Sequence, residues 1–264
     1  ERKLSSSTLA KHANLLRKIF RYMADHEHIN RIPPIPKFEQ ASNPRPYFDQ
    51  SALARMIGLT ERYSAFEQTF SYTYKGKPVR RLKFDSEFAD FIFFALNSFV
   101  RLSDLKDLRV KHTKPEGQGT DNMYIELFPP HSKTVQRSSV TMQLAVRPYF
   151  SLLDRHSTIG LAGPDNYLFY PQYENRTYMM EVVRRLFDKV LVDSKTKKDK
   201  WGRSRTLYSL RHTALMNRFL YGDNIDIHLL AMNALTSVEM LEKFYLSHAA
   251  SKMRLQELQS FRKP

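Results

Sequence analysis

The sequence predicts a mainly α-helical protein with one small antiparallel β-sheet. Three observations predict it. Apolar residues recur at three- and four-residue steps through several long segments, the spacing of one helical face. Two short segments, Met123–Leu127 and Ser138–Met142, alternate instead, and a polar turn lies between them. Prolines crowd the stretch 33–46 (Pro33, Pro34, Pro36, Pro44, Pro46), which stiffens the backbone and excludes helix, so it reads as a linker.

At 264 residues the chain suits one large domain, or one domain plus a smaller piece. The boundary is expected in the proline stretch, giving residues 1–45 and 46–264. The first residue is not methionine, and the piece before the linker is too short for its own core, so it reads as the last helix of a larger domain. Lys and Arg number 42 against 27 Asp and Glu, a net charge of +15. Such an excess favours a polyanion, because cations that neutralise phosphates release counterions. Charge alone does not separate DNA, RNA and an anionic membrane. The absence of cysteine excludes disulfides, thiolate metal sites and a cysteine nucleophile, and fits a reducing cytoplasm. No apolar run reaches the roughly 18 residues of a membrane span.

In order, Ser5–Thr8 offers capping hydroxyls for a helix through Leu9, Ala13, Leu16, Phe20 and Met23. Its other face carries Lys11, Arg17, Lys18 and Arg21, which suits either solvent or DNA. Asp49 caps a helix with Leu53, Met56 and Ile57. Residues 62–84 read as a loop or small hairpin. Asp85 caps a strongly apolar, buried helix through Phe88, Phe91, Ile92, Ala95 and Phe99. Arg101 follows and opens a second helix, either tied to Asp104 or set beside a cleft. Val110–His112 is expected as a strand. The turn His131–Arg137 carries Lys133 between the two alternating strands. Arg147-Pro148 begins a helix, and Thr177–Val192 is a clear amphipathic one. Ser194–Arg205 is a basic loop around Trp201, with Lys198, Lys200 and Arg203 as candidate phosphate contacts. Val238, Leu241 and Phe244 then define a helix with Tyr245 at its exit.

Four segments in this order resemble the tyrosine recombinases, the phage-type integrases. Ser98-Phe99-Val100-Arg101-Leu102-Ser103-Asp104 is similar to the box T-G-x-R-x-x-E, with Asp for Glu. Lys133 stands where that family has a hairpin lysine. Tyr208-Ser209-Leu210-Arg211-His212-Thr213 is similar to H-x-L-R-H-T, with Tyr for the first His. Leu235-Thr236-Ser237 is similar to G-H/T-S, with Leu for the usual Gly, and Tyr245 follows Thr236 by nine residues, the family's interval.

The resemblance implies a tyrosine recombinase catalytic-domain fold, double-stranded DNA as partner, self-association as a tetramer on paired sites, and no metal or cofactor. It implies a bacterial, cytoplasmic, DNA-associated protein of a mobile element. It also implies that Tyr245 attacks a phosphodiester to give a 3′-phosphotyrosine, while Lys133 protonates the leaving oxygen. Two arginines suit the phosphate, since the planar guanidinium forks onto its oxygens and stays charged. Tyr208 and Thr236 would orient it, and His212 is expected to be structural. Tyr208 weakens proton shuttling relative to histidine, since a phenol titrates near about 10. Two other readings share these residues: a type IB topoisomerase-like nicking-closing enzyme, and a catalytically weak or inactive DNA-binding relative. The segment 249–264, with Met253, Leu255, Leu258 and Phe261, has an apolar side that must dock: on its own domain in the plain reading, or on a neighbouring protomer, as the resemblance implies.

Overall fold

Short polar side chains start several of the helices. In the computed structural model of the chain, the Ser5 hydroxyl accepts from the Thr8 N–H and opens α1 (Ser6–Asp25). Asp49 does the same for α2 (Gln50–Ala65) and Asp85 for α3 (Ser86–Asn97). Each such cap satisfies an orphan backbone donor and is worth about 1 kcal/mol. The structure describes residues 4–38, 46–74, 77–130, 138–222 and 225–244. Lys133, Tyr245 and the segment 249–264 lie outside them.

The chain divides into two compact units, Glu1–Asn43 and Pro44–Pro264. In the first, α1 buries Ala10 and Ala13. Arg17 donates to Asn14 Oδ1 at 2.8 Å and to the carbonyls of Ile35 and Pro36 at 3.1 and 2.7 Å, which pins the proline stretch to the helix.

In the second unit α2 is followed by a hairpin, β1 (Thr69–Tyr74) and β2 (Lys77–Lys83), then α3 and α4 (Leu102–Asp107). A three-stranded antiparallel sheet, β3 (Thr113–Glu116), β4 (Tyr124–Leu127) and β5 (Ser139–Val140), runs in the order β3-β4-β5. Helices α5 (Val146–Thr158), α6 (Arg176–Asp193), α7 (Tyr208–Tyr221), α8 (Ile227–Asn233) and α9 (Val238–Phe244) complete it.

Helix α3 is the axis of the core. Phe88, Phe91, Ile92 and Phe94 are fully buried on it, with α2, α5 and α7 packed around. Phe91 and Phe94 both meet Phe169 edge-on, at 5.0 and 5.3 Å between centroids. Each such side chain contributes about 1.5–3 kcal/mol on burial. A second, smaller cluster joins Phe99 to Ala214, Leu215 and Met216 of α7, Leu230 and Ala231 of α8, and Leu241 of α9. This cluster fixes the ends of α3, α7, α8 and α9 against one another.

Several expectations are corrected. Val110–His112 is a 3₁₀ turn, not a strand, because its N–H groups turn to Asn166 and Pro164 carbonyls on a neighbouring loop. The strand begins at Thr113, so the sheet has a member that alternation did not reveal. The last strand is only Ser139–Val140, because Thr141 turns its hydroxyl to the Ile125 N–H and Met142 donates to the Asn97 carbonyl at 2.9 Å. Residues 62–84 divide between the end of α2 and the β1–β2 hairpin. The short helix α8 had no place in the sequence reading.

Candidate active site

Helix α3 ends at Asn97, and the chain reverses through Phe99, whose φ of +58° is left-handed. This turn delivers Arg101 to the N-cap of α4. Arg101 is half-buried, and its Nη2 donates to the Leu235 carbonyl at 2.6 Å. Arg211 lies one turn into α7 and is only 4% exposed. Its Nη2 donates to the Ala234 carbonyl at 2.7 Å and its Nη1 to the Phe99 carbonyl. Two guanidinium groups, from α4 and α7, thus hold the consecutive carbonyls of one turn. Those acceptors are neutral, so the bonds orient the groups without cancelling their charge.

That turn is itself a defined cap. The Leu235 N–H donates to Met232 and the Thr236 N–H to Ala231, at 3.1 and 3.0 Å, the paired closure that ends a helix on a left-handed residue. Leu235 takes the left-handed conformation, φ +51°. For an L-residue with a Cβ this costs about 1–2 kcal/mol. Both non-glycine residues occupy places where the motifs above carry glycine, and each supplies a carbonyl to an arginine. The observed strain therefore sits at the elements that position the two cations.

Thr236 is half-buried beside the same turn. Tyr208 is the first residue of α7 and half-buried, one turn before His212, with their rings 5.0 Å apart. His212 is 3% exposed and so belongs to the interior. Ser237 caps α9, its hydroxyl accepting from Met240 N–H at 3.3 Å. The buried Leu241 anchors that helix, which ends at Phe244, one residue before Tyr245 in sequence. The structure therefore brings together Arg101, Arg211 and the turn carrying Thr236, with Tyr208 on the same helix as Arg211. Lys133 and Tyr245 lie outside the described residues.

Of the expected DNA contacts, Lys11, Lys18, Arg21, Lys198 and Lys200 are exposed. Arg17 is engaged with its own linker carbonyls, and Arg203 is paired with Asp199 at 2.7 Å. The basic loop is ordered by that Asp199 carboxylate, which also accepts from the N–H groups of Trp201 and Arg203. Burial alone would raise the Asp199 pKa, but the donors from Arg203 and Trp201 outweigh it and hold the carboxyl below its usual range. Trp201 remains 56% exposed, with Lys200 Nζ and the Arg203 guanidinium 4.3 and 4.5 Å from its ring centroids. Sequence reasoning missed Asp199, although an Asp three residues before a Gly is a turn signal. It also missed Asn233, whose side-chain amide bonds the β5 backbone. Among the described residues no cluster of His, Asp or Glu suits a metal, and no helix is long and apolar enough to cross a membrane.

No protein-family model matches the chain, and no curated protein matches it in sequence. Solved structures do match in fold. The Tn1549 transposon integrase in complex with a circular intermediate DNA superposes with a TM-score of 0.61 at 13% identity, over 97% of this chain and 79% of that one. XerA recombinase gives 0.52 at 15% identity, over 99% and 84%. The lambda integrase bound to DNA gives 0.53 at 13% identity, over 98% and 78%. The fold is that of the tyrosine recombinase catalytic domains.

Proposed function

We propose that this chain is a site-specific DNA recombinase or integrase that cuts and rejoins DNA through a 3′-phosphotyrosine. The observation that carries it is the pair of guanidinium groups held by the Ala234 and Leu235 carbonyls, on a fold shared with tyrosine recombinases. Breaking a phosphodiester without a metal needs positive charge on the non-bridging oxygens, and groups fixed before the reaction cost no reorganisation during it. Arg101 and Arg211 fill this role.

The phenol oxygen of Tyr245 bonds to phosphorus as the bond to the 5′ oxygen breaks, and the phenol proton passes to solvent. Lys133 gives its proton to the departing oxygen, leaving a hydroxyl and a neutral amine. Rejoining runs the same steps backwards, and the phosphotyrosine ester conserves the bond energy, so no ATP is consumed. Tyr208 and Thr236 orient the phosphate. Lys11, Lys18, Arg21, Lys198 and Lys200 contact the backbone of the duplex, and residues 1–45 form part of a DNA-clamping domain. Four protomers on two sites exchange strands, for integration or excision of a mobile element.

The test is a recombination assay on a plasmid library carrying paired candidate sites. Exchange between paired sites supports a recombinase. Relaxation of supercoils without exchange points to a topoisomerase-like enzyme, and binding without either contradicts catalysis.

A further inference from the structure

Among the described residues β5 is the edge strand of its sheet and pairs with β4 alone. Its outward backbone groups therefore need other partners. At Val140 a side chain supplies both. The Val140 N–H donates to Asn233 Oδ1 at 2.7 Å, and Asn233 Nδ2 donates back to the Val140 carbonyl at 3.0 Å. Only Asn and Gln carry a donor and an acceptor fixed in one plane this way. One bond would leave a hinge, whereas two on the same residue fix distance and orientation together.

Asn233 is also the last residue of α8. The next two carbonyls in the chain, Ala234 and Leu235, are those held by Arg211 and Arg101. The sheet edge and the arginine-bound turn are thus joined through three consecutive residues. The strand is fixed on its other sides as well. Thr141 exchanges two 3.0 Å bonds with the Ile125 backbone, and Met142 donates to the Asn97 carbonyl, two residues before Phe99.

We infer that Asn233 is a positioning residue that sets the β4–β5 hairpin in register with the two arginines. The inference rests on the proposed function, in which Lys133, between β4 and β5 in sequence, protonates the leaving oxygen. A general acid works only within hydrogen-bond reach of that oxygen, so the base of its hairpin must be placed to within about an ångström. The clamp lies at a partly exposed surface, where its loss is expected to have little effect on global stability.

The experiment compares cleavage of a selected duplex with cleavage of the same duplex carrying sulfur at the 5′ bridging position. A thiolate, with a conjugate acid near about 8.5, leaves without a proton donor. Asn233→Ala should slow cleavage of the oxygen duplex by about tenfold or more, and cleave the sulfur duplex at the wild-type rate. Asn233→Asp keeps the acceptor but faces the Val140 carbonyl with a second one, and should behave alike. Wild-type rates on both duplexes, or equal slowing on both, overturn the inference. Lys133→Ala is the control. If it cleaves the oxygen duplex normally, the general-acid reading falls and the inference with it. If it is rescued by sulfur while Asn233→Ala is not, the inference alone falls.

Discussion

Arg101 reaches Leu235 across 134 positions of the chain and bonds its carbonyl at 2.6 Å. Leu235 offers that carbonyl from a left-handed backbone, φ +51°, that leucine rarely adopts. Helix α8 is closed by the same residue, so one strained position ends a helix and orients a cation. A change at Leu235 should therefore reach both stability and chemistry.

Glycine takes that conformation freely, while a β-branched residue is penalised there. Leu235→Val is expected to unfold at a lower temperature than wild type, because its β-branch adds to a strain that leucine already bears, and to slow DNA cleavage as the Arg101 acceptor shifts. Leu235→Gly is expected to relieve a backbone cost of about 1–2 kcal/mol, to melt above Leu235→Val, and to retain cleavage. Thermal unfolding beside single-turnover cleavage checks both. Equal behaviour of the two variants would contradict the role assigned to this backbone.

The two arginines should separate from each other. Arg101→Ala removes a partly exposed group and is expected to slow cleavage about 100-fold or more with little loss of DNA affinity, because its charge acts mainly on the transition state. Arg211→Ala should do the same and also unfold more easily, since the Phe99 and Ala234 carbonyls each lose a buried donor worth about 1–3 kcal/mol. Binding by anisotropy, cleavage rate and melting temperature, measured together, check the contrast. Wild-type cleavage by either variant is the result that sinks the two-arginine site.

Much of the local structure around these residues could be read from the chain because its parts are local. Caps at Ser5, Asp49 and Asp85 are single side chains before apolar runs, and all three start helices in the structure. The box around Arg211 spans less than two helical turns, and its residues fall at the start of α7. What stayed hidden depends on partners distant in sequence. Thr113–Glu116 carries a proline and little alternation, and becomes a strand because β4 lies beside it. Val110–His112 reads as extended, but the Asn166 and Pro164 carbonyls capture its backbone. Arg176 looks like a charged residue at a helix start, yet it is 7% exposed and donates to the carbonyls of Lys106, Phe169, Tyr170 and Tyr173. Burial lowers its pKa to about 10, which still leaves it charged near neutrality. The bond from Asn233 to Val140 spans 93 positions and has no local signature.

The basic loop should respond to acid. Asp199 has a folded pKa below its ordinary value, so its stabilising effect is present above the unfolded pKa, about 3.9, and is lost as pH falls through the folded one. Trp201, the chain's only tryptophan, reports on that loop. Its emission is expected to stay constant from neutral pH down to about 4 and to shift below it. Asp199→Asn should show the acid-like emission at neutral pH. An unchanged spectrum in that variant would show that the carboxylate does not order the loop.

The central claim is that Tyr245 is a nucleophile served by Arg101 and Arg211. The most direct measurement is adduct formation on a pool of nicked duplexes of randomised sequence, where the cleaved end diffuses away and traps the intermediate. The expected result is a denaturant-resistant protein–DNA adduct that forms in EDTA, maps to Tyr245, and is absent from Tyr245→Phe although that variant still binds DNA. An adduct undiminished in Tyr245→Phe, or one that forms only with Mg²⁺, would contradict it.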